Sequence, residues 1–344
     1  MGNLIAGECQ FRLSHYGVMQ YRHHPVVSQT GPDFAASLAP NGYAWWYLDA
    51  LSDCGQYGLT VIAMLGCVFS PWYARARRHG QVDPVQHSAL NVVLYRGQGR
   101  RWAMTERDAT AVTRHEDQLT IGPSRVTWDG EALRIDVDEK TSPWPQALRG
   151  QIRVVPSVRH ATAYPLDAAA RHLWWPIAPL ARVSVIFDAP ALNWVGSAYL
   201  DANQGLAPLE TDFESWNWSR SHGAASTRVL YDTIGAQDRP NRSWSLDFAS
   251  DGSVRAGSKP PINPMTKTMW GIARHTRCDL GARPTVIETL ESAPFYSRSL
   301  IETTHDGERV ESFHESVSLS RFSKSWVQAL LPVRLPRVRS RRPV

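Results

Sequence analysis

Apolar side chains fall at every second position through RVTWDGEALRIDVDE, with Val126 and Trp128 before Asp129-Gly130 and Leu133, Ile135 and Val137 after it. Period two is the strand period, and an Asp-Gly pair between two such runs predicts a tight antiparallel hairpin with one buried face. The same layout surrounds Asp251-Gly252 in RSWSLDFASDGSVRAG and Asp306-Gly307 in TTHDGERVESFHESVSLSRF. Both halves of the chain therefore read as antiparallel, and the expected fold class is all-β. The main helical candidate is PWYARARRHG, from Pro71 to Gly80. WWYLDALSDCGQYGLTVIAMLG from Trp45 and WNWSRSHGAASTRVLYDTIGA from Trp216 share a weak similarity: paired aromatics, a polar turn, then an apolar strand. This duplication predicts two related β units. WWPIAPLA, whose Pro176 and Pro179 lack the N–H that a strand ladder needs, marks the expected junction. The division so predicted is an N-terminal domain over 1–178, a C-terminal domain over 179–327 and a basic tail over 328–344.

Composition adds a preference for apolar partners. The 344 residues are enough for two cores, and 43% hydrophobic with 20% charged residues is ordinary for a globular chain. The load of 14 Trp is heavy, and indoles sit where an apolar face meets a hydrogen-bond partner. Leu59 to Phe69 is the longest apolar run and falls well short of the roughly 20 residues of a bilayer-spanning helix. MGNLIAGECQ carries neither a basic leader nor a myristoylation pattern, and Cys9, Cys54, Cys67 and Cys278 show no zinc spacing, so the expectation is a reduced intracellular setting without metal. The net charge of +5 concentrates in the tail, where Arg334, Arg337, Arg339, Arg341 and Arg342 meet no acid. Such a tail suits anionic lipid or remains solvated. Trp72 and Tyr73 beside Arg75, Arg77 and Arg78 suggest a second membrane contact, against the alternative of a basic surface loop.

GxSxG, P-loop, HExxH and GxGxxG patterns are absent, and adjacent His23 and His24 would point to opposite faces of an extended segment, which makes a poor metal pair. The dense region runs from His172 to Trp218. In GSAYLDANQG, Tyr199 and Asp201 are two apart and share a strand face. Spacing alone leaves two readings of Asp201 open: a turn residue bonding nearby backbone, or a reacting acid.

The segments AWWYLDA, VFSPWYARARRHGQVDPVQHSALNVVLY, RWAMTERD, HLWWPIAP and NWVGSAYLDANQGLAPLETDFESWNWSRS resemble those of the carotenoid 1,2-hydratases, or hydroxyneurosporene synthases, over nearly the whole chain. The resemblance implies two lipocalin-like β domains and hydration, without a cofactor, of the terminal trisubstituted double bond of an acyclic carotene such as neurosporene or lycopene. It implies Asp201 as the catalytic acid, with His172, Trp174 and Tyr199 around it. An alkene is weakly basic, so the acid must be protonated, which demands burial among aromatics. His172 is then expected to orient Asp201 or the attacking water, or else to be a structural histidine. Trp175, Trp194, Trp216, Trp218 and Trp46 are the expected walls of the substrate site. The partners so implied are carotene, water and the cytoplasmic surface of a membrane, with no nucleic acid. The rival functions are a carotenoid carrier and an isomerase or cyclase.

Overall fold

Each of the three Asp-Gly pairs closes a hairpin in the computed structural model, which describes residues 26–28, 31–97, 99–223 and 226–338. Asp129-Gly130 joins Ser124–Trp128 to Leu133–Lys140, and the latter alternates buried and exposed at every position. Asp306 and Gly307 have φ of 54° and 81°, the left-handed pair that lets a two-residue turn follow the twist of its strands. The expected all-β fold is present. Among the described residues the helices are short, and Pro71–Arg77 forms where Ser70 caps the N–H groups of Trp72 and Tyr73.

Two large antiparallel sheets organise the chain. The first has thirteen strands among the described residues, and its centre is Tyr43–Ser52, paired with Tyr57–Leu65 on one side and Ala191–Gly205 on the other. It curls until its flanks meet: Ser142 N donates to Trp102 O at 3.0 Å, and Arg107 bonds Glu139 at 2.8 Å. Its interior is filled by a core that includes Trp46, Leu48, Trp128, Trp175 and Trp194. Among the described residues the second sheet has seven strands, with Phe213–His222 between Ser226–Gly235 and Glu308–Ser318. A second core, including Tyr47, Trp174 and Tyr199 with Trp218, Tyr231 and Phe313, joins the two sheets.

The junction expected at residue 178 lies inside a single strand, His172–Ala189. Pro176 and Pro179 cost it ladder bonds, but the register shifts around Ala178 absorb both as bulges and the strand continues. The first sheet runs to Gly205 and the second starts at Phe213, so the change of sheet falls between them. The final strand, Arg337–Val338, returns to the first sheet as a parallel edge beside Arg101–Arg107 rather than standing free as a tail.

The similar segments starting at Trp45 and Trp216 form matching hairpins, and these hairpins face one another across the second core. Positions aligned by the similarity touch: Tyr47 and Trp218 meet edge to face at 5.6 Å, and Arg220 bonds Asp49. Asp49 and Arg220 are both buried, so each charge depends on the other. Arg220→Ala is expected to lower stability by about 3 to 5 kcal/mol by stranding Asp49; a loss under about 1 kcal/mol in urea unfolding would show that the pair does not tie the sheets.

Candidate active site

Strand alternation sorts the candidate residues before any chemistry is considered. Along Ala191–Gly205, Ser197, Tyr199, Asp201 and Asn203 share one face, and their partners on Tyr43–Ser52 are Leu51, Asp49, Tyr47 and Trp45 in turn. Trp174 pairs with Asn203 and looks the same way, toward the second sheet. Trp175 and Trp46, one position out of phase, point into the first sheet's own core.

Asp201 is 4% exposed and its Oδ2 accepts two hydrogen bonds of 2.9 Å, from Trp174 Nε1 and the Tyr199 hydroxyl. Oδ1 is buried without a protein partner. Burial pushes this carboxyl well above the usual carboxylate range; the two donors pull it down, and the charges of Glu315 and Asp49 push it up again. Among the described residues no cation bonds Asp201. Asp49 provides the contrast, since it lies in a second Tyr-Leu-Asp segment, Tyr47-Leu48-Asp49, beside Tyr199-Leu200-Asp201. Its Oδ2 also accepts from its own Tyr hydroxyl, at 3.1 Å, and burial holds this carboxyl above the usual range too, although the charge and hydrogen bond of Arg220 oppose that rise. Two copies of one tripeptide thus hold acids in different electrostatic settings.

Asp201 opens on a space of about 300 Å³ between the sheets, lined by Trp45, Tyr47 and Asn203 from the first and by Trp216, Trp218, Tyr231 and Glu315 from the second. Trp45, Tyr47, Trp216 and Glu315 also line a larger space of about 880 Å³, whose other walls include Val68, Phe69, Trp102, Met104, Phe295 and Leu335. The two spaces adjoin. Glu315 sits at their junction, held by Arg298 through Nε at 2.8 Å and Nη2 at 2.6 Å; Arg298 is itself anchored by Tyr95 at 2.6 Å and Glu291 at 2.5 Å. An apolar chamber beside a cavity with a buried acid is the kind of concave, mostly apolar site that binds apolar ligands.

The expected residues separate into two groups. Trp174 and Tyr199 contact Asp201, and Trp216 and Trp218 line its cavity. Trp46, Trp175 and Trp194 fill the first sheet's core instead, because alternation turns them inward. His172 does not bond Asp201. Its Nε2 meets Asp212 at 2.8 Å and its Nδ1 the Tyr43 hydroxyl at 2.9 Å, so both ring nitrogens are engaged. Burial works to raise the Asp212 carboxyl, but His172, Arg171 and Arg239 outweigh it and hold the group low. Tyr47, Trp45, Asn203, Tyr231 and Glu315 were missed; the repeated Tyr-Leu-Asp was the signal for Tyr47.

The expected membrane residues are partly consumed. Tyr73 is buried and donates to Gly42 O at 2.6 Å, Arg77 pairs with Glu210 at 2.6 Å, and Trp72 donates to Leu335 O at 3.3 Å. Arg75 and Arg78 are exposed. In the tail, Arg334 lies over Trp102 at 4.4 Å and Arg337 bonds Glu106 at 2.5 Å, while Arg339, Arg341 and Arg342 lie outside the described residues, as do His23, His24 and Cys9. Among the described residues no group of His, Cys, Asp or Glu is placed to hold a metal ion, and no helix is long and apolar enough to cross a membrane.

Two antiparallel sheets packed about a buried acid and an apolar chamber define a lipocalin-like β protein, and solved structures bear this out at the level of fold. A putative AttH protein from Nitrosomonas europaea superposes with a TM-score of 0.58 at 12% identity, over 80% of this chain and 92% of its own. Kievitone hydratase from Nectria haematococca superposes with a TM-score of 0.54 at 11% identity, over 83% and 92%. A family model described as carotenoid hydratase CrtC matches residues 61–343, and the chain belongs to that family. It is 51% identical over 309 residues to the acyclic carotenoid 1,2-hydratase of Thiocapsa roseopersicina, over 90% of this chain and 76% of the relative. To the enzyme of that name from Rhodobacter capsulatus it is 39% identical over 279 residues, or 80% and 97%.

The raised Asp201 carboxyl has a consequence for stability. In the unfolded chain an Asp ionises at about 3.9, so the stability gained by holding the proton is full below that pH and is lost as pH rises through the higher folded value. Asp201→Asn has no such loss. Its stability relative to wild type should climb above about pH 4, by up to ~1.4 kcal/mol per pH unit, in urea unfolding; parallel curves would exclude a raised carboxyl.

Proposed function

We propose that the protein hydrates the terminal trisubstituted double bond of an acyclic carotene, with Asp201 as the proton donor. The observation that carries this reading is the buried Asp201, bonded among the described residues by the neutral donors Trp174 and Tyr199 and lining a cavity that shares walls with the apolar chamber. Membership of the carotenoid hydratase family supplies the substrate class.

The polyene lies along the apolar chamber with its terminal double bond at Asp201. Asp201 transfers its proton to the less substituted alkene carbon, forming a C–H bond and leaving a tertiary cation. The faces of Trp216, Trp218 and Tyr231 and the carboxylate of Glu315 stabilise that charge, with about 2 kcal/mol available from each well-placed desolvated ring. Water adds to the cation, and the resulting oxonium returns one proton to the Asp201 carboxylate. Carotene plus water becomes a tertiary alcohol, and the acid is restored. Tyr199 and Trp174 steady the ionised carboxylate between the two steps. His172 acts at a distance, by holding Tyr43 and Asp212 behind the site.

With lycopene in detergent and D2O, wild type should give the hydroxylated product carrying one non-exchangeable deuterium on the carbon next to the alcohol carbon. Asp201→Asn should still bind lycopene and lose at least a hundredfold in turnover, in line with losses for a general acid of about 10² to 10⁴. Near wild-type turnover in that variant would remove Asp201 from the role; binding without product in wild type would favour a carrier.

The substrate dissolves in lipid, and we place the membrane contact at the mouth of the chamber. Leu331 and Leu335 line it, and the same segment exposes Trp326, Leu330 and Val333. Ser142 Oγ bonds Val333 O at 3.2 Å, which brings the loop carrying the 80% exposed Trp144 alongside. Such a patch suits the interface of a bilayer. Trp144→Ser combined with Val333→Asp should abolish flotation with anionic liposomes while detergent-dissolved lycopene is still hydrated. Undiminished flotation would move the contact elsewhere.

A further inference from the structure

Every turnover consumes one water, yet a polyene filling the apolar chamber closes that side of Asp201 to water. Behind the acid, on the side away from the chamber, lies a polar recess of about 830 Å³. Its position follows from the strand faces. Along one strand Ser197 lines the recess, Tyr199 comes next, and Asp201 lines the acid cavity. Along the opposing strand His222 and Arg220 line the recess and Trp218 lines the cavity.

One layer of side chains therefore separates the recess from the acid, and among its aromatic rings it holds a buried polar pair, Arg220 and Asp49. Arg220 reaches from the recess to Asp49, and Asp49 accepts from the Tyr47 hydroxyl at 3.1 Å, whose residue lines the acid cavity. Arg220 Nε is buried with no protein partner. Buried polar groups left unmatched by protein are the kind that ordered water satisfies.

We propose that this recess is the water entrance of the enzyme, and that water crosses the layer beside the Arg220–Asp49–Tyr47 chain, whose polar groups hydrogen-bond it on its way to the cavity of Asp201. Substrates thus enter from opposite sides: the carotene through the apolar chamber and water through the polar recess. The inference rests on the hydration reading of the site.

Ser197→Trp drives a wedge into the recess from the first sheet, and Glu311→Trp does so from an exposed position on the second. Lycopene binding is followed by its absorption shift, and turnover is measured at saturating lycopene. The expected result is unchanged lycopene affinity with turnover reduced at least tenfold in Ser197→Trp and to a smaller degree in Glu311→Trp. Wild-type turnover in both wedge variants would overturn the proposal. Loss of lycopene affinity in step with turnover would also overturn it, because the recess would then belong to the polyene path. The acid reading fails separately, through an active Asp201→Asn.

Discussion

A carboxyl group enclosed between two β-sheets, with an indole and a phenol as its bonded donors, must either keep its proton or bear a costly buried charge. Asp201 is in that position, and the surrounding architecture follows from the need to hold it there. The first sheet supplies the acid and both donors from adjacent strands, whose register places Trp174, Tyr199 and Asp201 on one face. The second sheet supplies the lid of aromatic rings that keeps bulk water away. A cation bonded to the group, as Arg220 is to Asp49, would oppose the effect of burial and favour the ionised form.

The twin Tyr-Leu-Asp segments show how little local sequence says about such a fate. Each tyrosine hydroxyl bonds the aspartate two residues on, because the pair shares a strand face. What differs is the side chain that arrives from the other sheet. Arg220 reaches Asp49, whereas Asp201 meets cavity-lining rings and the carboxylate of Glu315, which Arg298 already holds. The open space lies between the sheets, rather than in the interior of the curled first sheet, because that interior is already filled by Trp46, Trp175 and Trp194.

Much of the fold was legible because alternation and turn chemistry are local. The Asp-Gly hairpins, the all-β class and the matching pair of hairpins were all readable from runs of a few residues. The junction was misread because Pro176 and Pro179 break ladder bonds wherever they stand, and only neighbouring strands decide whether a bulge absorbs the loss. Of the expected site, Asp201, Trp174 and Tyr199 are in contact. His172 does not join them, since Tyr43 and Asp212 take both of its nitrogens. The tryptophans divided by parity, a property that residue counting along a dense region overlooks.

By itself the sequence determined the strand period, the positions of the turns and, through its motifs, the family. Those are properties of residues close together in the chain. Tertiary structure decided which buried acid is bonded by a cation, which tryptophans wall the chamber, and where the spaces between the sheets lie. The pKa of a buried group depends on the charges and donors that other strands bring within a few ångströms. Arg220, Glu315 and Trp218 reach the neighbourhood of Asp49 and Asp201 only when the second sheet closes over the first.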